Sequence, residues 1–228
     1  MIIKDWVAEV LNPIRTIANL DLLLDQQGVI AAQKRRCVRI GYPESIYEDD
    51  IPVSRLNFGS FNEYCELLKN RRYSALLWDG SFLQVSIDIL RDDLIGHRYC
   101  YYPCPVQFKD DELRTLTEEE HIVDVVKTFL DQRSMLLLRT PIRIDFDSQT
   151  WKKGEPHVHI HFNHANCHCA LTAPIYPSYF VKFIIRYFYP DIWHEYPDLE
   201  LLSQDMPGYW LKNGEERFLH LTAKNPPM

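Results

Sequence analysis

Positive charge is in short supply in this chain. Its 25 Lys and Arg stand against 32 Asp and Glu, leaving a formal net charge of −7 and a pI near 5.7. Such a balance argues against non-specific polyanion binding by the whole surface. The local basic clusters, Lys34, Arg35, Arg36 and Arg39, then Lys69, Arg71 and Arg72, read as solvated faces. Glycine is also scarce, at 8 of 228, and no Gly/Ser linker or repeat divides the chain. No long apolar run is present: Lys182 and Arg186 interrupt the one from Tyr179 to Tyr189, so no membrane span is expected. The start, Met1 to Trp6, lacks a basic segment followed by an apolar one, so a cytoplasmic location is the expectation. In that compartment the six cysteines are not expected to form disulfides. Paired C-x2-C knuckles are missing as well. Cys100 and Cys104 with Cys167 and Cys169 leave a four-cysteine zinc site open, but they read better as buried thiols.

What is abundant is aromatic and apolar side chains, at 13% and 46%. They suit one substantial core and disfavour long disorder. A single domain over residues 1–228 is expected, with a helical N-terminal part to about residue 40 and a sheet-containing body from about 60 to 228. Trp6, Val7, Val10, Leu11, Ile14, Ile17, Leu20 and Leu22 to Leu24 recur at roughly helical spacing. Ser60-Phe61-Asn62-Glu63 is a capping box opening a helix to about Lys69, and Thr117 to Glu120 is a second. Between them, Asp79-Gly80 signals a two-residue hairpin turn between strands 73–78 and 81–89, followed by a third strand from Leu94 to Tyr102. Ile142 to Asp147 and Pro156 to Phe162 alternate as strands. An aromatic helix is expected from Pro177 or Ser178 to Tyr189, and a last strand near Phe218 to Thr222. The fold class this implies is α+β: a twisted, mainly antiparallel sheet with a helical N-terminus and flanking helices.

Five of the nine histidines fall between His157 and His168. His157, His159 and His161 alternate with Val158, Ile160 and Phe162, which places them on one face of a strand. If this histidine-rich strand pairs with Ile142–Asp147, the apolar faces must share a side. Arg143, Asp145 and Asp147 then share the other side with the histidines. A carboxylate beside an imidazole orients the ring and raises its pKa, and an arginine holds phosphate bidentately. The set Arg143, Asp145, His157 and His159, with His161 and Arg98 as further ligand-binding groups, therefore suits phosphoryl-ester chemistry. A divalent metal on N/O ligands is the alternative use of the same row. His97 and Arg98 are neighbours on a strand, so only one of them can reach this face.

Three stretches carry a resemblance. They are Asp79 to Ser86, His97 to Pro105, and Arg143 to Asp147 with His157 to Ile160 and the aromatic helix ending at Tyr189-Pro190. Together they are similar to a bacterial domain-of-unknown-function family, DUF2290. The resemblance covers most of the chain, singles out Arg143, Asp145, His157 and His159, and transfers no activity. From the residues, the expected function is a phosphodiester or phosphoanhydride hydrolase or transferase. Its substrate would be RNA or a nucleotide, in the manner of a bacterial toxin or defence effector. The alternative is a non-enzymatic module that binds a protein partner, with the histidine row as a structural polar network. The aromatics Tyr179, Phe180, Phe183, Tyr187 and Phe188 would then supply the interface.

Overall fold

In the computed structural model, the described residues are 3–34, 36–46, 60–109, 112–133, 137, 139–148, 158–161, 168–171, 174–196, 199 and 220–221. They form six α-helices and ten strands of one open sheet, antiparallel except where its last strand joins, and so of the α+β class. No described helix is long and apolar enough to cross a membrane.

Helix α1 (Ile3–Asn19) runs through Pro13 and buries Trp6, Val10, Ile14 and Ile17. It does not extend through Leu22–Leu24 as the apolar spacing suggests. Asp21 adopts a left-handed φ of 57°. Its N–H donates to Ala18 O, and Leu22 N–H donates to Ile17 O, which closes the helix as a Schellman motif. Three strands follow instead: β1 (Leu23–Gln26), β2 (Ile30–Lys34) and β3 (Cys37–Gly41). A 3₁₀ turn over Pro43–Ile46 ends this part.

The second helix, α2 (Phe61–Lys69), starts where the capping box predicts, with Ser60 Oγ accepting from Glu63 N–H at 3.1 Å. Strands β4 (Ala75–Leu77), β5 (Phe82–Leu90) and β6 (Asp93–Tyr102) come next. The hairpin at Asp79-Gly80 is present, but its loop has three residues. Leu77 N–H donates to Ser81 O, and Gly80 takes the left-handed position with φ 85°. The two-residue turn is the next one, Arg91-Asp92, with both φ values positive and no glycine.

The second expected capping box fails. Thr117 ends a short helix, α3 (Glu112–Thr117), and its hydroxyl donates back to Leu113 O and Arg114 O. Helix α4 (Ile122–Arg133) starts later, with exposed His121 Nδ1 accepting from Val123 N–H. After it come β7 (Ile142–Asp147), β8 (Val158–His161), β9 (His168–Leu171), α5 (Pro177–Phe188), α6 (Pro190–Glu195) and β10 (His220–Leu221).

The strand order is β1-β4-β5-β6-β7-β8-β9-β10, with β3 paired to β5 beyond the end of β4 and β2 paired to β3. One sheet face is apolar except for the buried His97. Ile40, Leu83, Val85, Ile87, Tyr99, Ile144, Phe146 and Ile160 pack there against α1 and α5. The other face is apolar only at one end, where Phe82, Cys100 and Tyr102 meet α2 and α4. Each fully buried Leu, Ile or Phe of these clusters contributes roughly 1.5–3 kcal/mol, so the two layers fix the sheet's orientation.

Candidate functional site

Directly opposed residues share a face, so the register can be read as rows across the second face. Phe82 opposes Tyr102 under the helices. The next row is Gln84–Cys100–Arg143–His161, then Ser86–Arg98–Asp145–His159, then Asp88–Gly96–Asp147. Polarity thus rises along the strands, away from α2 and α4. Exposure rises with it: the Arg143 side chain is 6% accessible, Asp145 18% and Arg98 32%.

At the centre lies Asp145. Arg143 Nε stands 2.7 Å from its Oδ2, and Arg98 Nε stands 3.4 Å from its Oδ1. The two contacts differ in weight. Arg98 is a third exposed, so its pairing is screened and worth at most about 1 kcal/mol. Arg143 is nearly out of water, where removing its counter-charge would cost far more than the pair gains. A second pair lies on the adjoining strands, where Arg39 holds Asp88 bidentately, both contacts at 2.7 Å, and donates to Ser45 O.

The sequence expectation that Arg143 and Asp145 share a face with the histidine strand is met in the backbone: Asp145 opposes His159 and Arg143 opposes His161. At His159 and His161 the description is of backbone and register, and His157 lies outside the described residues. Of the two candidates on β6, Arg98 is the one on this face. His97 lies on the other, 5% accessible and stacked on Tyr99 at 4.3 Å, its Nε2 accepting from Ile175 N–H. Cys100 and Cys104 are buried thiols, not joined in a disulfide, in the apolar cluster under α2 and α4, and burial pushes Cys104 up to about 12. Cys167 lies outside the described residues. Among the described residues no three His, Cys, Asp or Glu side chains converge on a metal position.

A second polar group escaped the sequence reading. Asp79, in the β4–β5 turn, accepts from Ser81 N–H at 2.9 Å, Ser81 Oγ at 3.0 Å and Tyr189 Oη at 3.1 Å. Tyr101 Oη and Tyr189 Oη are 3.0 Å apart. Burial pushes Asp79 above the ordinary carboxylate range against these donors, and pushes Tyr101 up to about 12. The only sequence signal here was the turn itself, since Tyr189 is 110 residues away from Asp79.

The described geometry is that of two guanidinium groups around one carboxylate, on a strand whose register sets Asp145 opposite His159 and Arg143 opposite His161. The sequence pattern of the family described as "Uncharacterized conserved protein (DUF2290)" matches residues 23–225. The chain belongs to that family. No curated protein and no solved structure gives a significant match to the chain.

Proposed function

Taking that family membership as the premise, we propose that the polar face is a phosphate-processing site. It would act on RNA or a nucleotide in the cytoplasm as a phosphodiester or phosphoanhydride hydrolase or transferase. The observation that carries this reading is the row Ser86–Arg98–Asp145–His159, with Arg143 ion-paired to Asp145 from the neighbouring row. Roles follow from exposure. Arg98, more accessible and farther from Asp145, is the phosphate-contacting group. Arg143, nearly buried and close to Asp145, is a positioning residue that fixes the carboxylate. Asp145 orients an imidazole, and His159 with His157 does the acid/base work. His161, opposite Arg143, extends the ligand-binding side.

The alternative is a protein-binding module in which this network is purely structural, and the near-burial of Arg143 favours it. Histidine-selective NMR of His157 and His159 separates the two. Titrations are recorded alone, with a mononucleotide and with excess EDTA. Coupled titrations that move with nucleotide support the site, and a change with EDTA assigns the row to a metal. Values near 6.5 that respond to neither belong to free imidazole and overturn the proposal.

A further inference from the structure

The outward side of α5 and α6 carries aromatic rings interleaved with two cations. Lys182 Nζ lies 5.6 Å from the Trp193 ring centre. Arg186 Cζ lies 5.6 Å from the same ring and 5.7 Å from that of Tyr187. Phe183 continues the band, with its ring 5.2 Å from Tyr187 and 6.2 Å from Phe188. The inner side of α5 is spent on the core, with Phe180, Val181, Ile184 and Ile185 inaccessible. Tyr187 and Phe188 are left 64% and 40% exposed. Phe183 and Trp193 are partly buried against the core, so Tyr187 and Phe188 are the rings of this band left exposed.

Among the described residues of α5 and α6, the charges lying over these rings are both positive. Asp191 and Glu195 each lie two positions from Trp193 on α6, a rotation of about 200° that carries them to the opposite side of the helix. A chain with net charge −7 has therefore gathered two cations among exposed π-faces. Cations seated on rings suit a partner that offers negative charge and flat bases in alternation.

We propose that this band binds single-stranded nucleic acid. Bases stack on Tyr187 and Phe188, and phosphates pair with Lys182 and Arg186. From Tyr179 to Tyr187 the helix rises about 12 Å, room for three or four bases at about 3.4 Å each. Since α5 packs on the sheet face opposite Arg98 and Asp145, the band is a separate surface and does not depend on the phosphate-processing reading.

The test is fluorescence anisotropy of a labelled oligouridine of about 12 nucleotides with the full chain across a salt series. With two phosphates neutralised, the log–log salt slope is expected near about −1.4, and Arg186→Ala should shrink it by about 0.7. Tyr187→Ala should weaken binding by about tenfold. Lys69→Ala, an exposed cation on α2 outside both surfaces, should leave both effects in place, and the His157 and His159 titrations test the polar face separately, so failure of one site is distinguishable from failure of the other. Both substituted side chains are exposed, and circular dichroism verifies that the variants are folded. Binding weaker than about 1 mM, or binding indifferent to both substitutions, overturns the proposal. So does a concentration-dependent dimer, seen by light scattering and abolished by Tyr187→Ala, because a second copy would then be the occupant.

Discussion

Asp79 and Asp145 are both only partly accessible, yet their partners differ in kind. Asp79 is surrounded by neutral donors: a backbone N–H, a serine hydroxyl and a tyrosine hydroxyl. Asp145 meets two guanidinium groups, one close and one loose. The first arrangement ties the β4–β5 turn to the α5–α6 junction and gains nothing from being open to solvent. The second keeps a charged group beside water, where an incoming anion can compete for Arg98. One carboxylate fastens the fold, and under the proposed function the other holds a face ready for exchange.

The largest expected effect tests the second half of that contrast. His159→Ala should lower phosphodiesterase or nucleotide-hydrolase activity by about 10²–10⁴-fold with little change in thermal midpoint. Activity assays and melting curves on the same preparation check both parts. Next comes Asp145→Ala, expected to cost about 2–3 kcal/mol in urea unfolding because the nearly buried Arg143 loses a close counter-charge. The double variant Asp145→Ala/Arg143→Met should recover part of that loss, a coupling that independent sites would not show.

A third comparison uses glycines. Gly80 has φ 85°, and an added Cβ would stand 3.0 Å from Cys104 Sγ, so Gly80→Ala should cost about 2 kcal/mol. Gly96, on the polar face, would meet Phe146 O at 3.3 Å and Asp88 Cβ at 3.5 Å without a φ penalty. Gly96→Ala should therefore cost under about 1 kcal/mol. Urea midpoints rank the two.

The smallest effect is a pH slope. Burial raises the folded-state pKa of Asp79 above its ordinary value of 3.8, so the native state holds this proton more tightly than the unfolded chain. Stability then falls as pH rises from the unfolded value through the raised one. Glu9 is raised by burial and acts with the same sign. Asp79→Asn should flatten this part of the profile and leave Glu9's share, as urea unfolding at several acid pH values would show.

Much of this architecture was legible where a pattern is local. Ser60 and Glu63 mark a helix start because the cap is made within three residues. The alternation in Ile142–Asp147 forces its polar set to face that of the histidine strand, whatever the register, and Arg143 and Asp145 follow from it. What stayed hidden depends on distant partners. Leu22 to Leu24 have helix-like spacing, but β1 is a strand because it pairs with β4, about 50 residues later. Thr117 looked like a cap because nothing local announced the helix ending at it. The choice of Arg98 over His97 needed the β6–β7 register. The Asp79–Tyr189 bond joins a turn to a helix end with no shared motif.

The pairing of both β3 and β4 to β5 sets a timetable for synthesis. The β2–β3 hairpin is complete within residues 30–41, but its partner, Ser86–Ile89, follows about 50 residues later. At about 5–20 residues per second the ribosome delivers that partner roughly 3–10 s afterwards. Throughout that interval β3 lacks the partner for its second edge, and a lone hairpin is marginally stable at best. The N-terminal strands are therefore the first made, yet β3 gains its second neighbour only after β5 has followed.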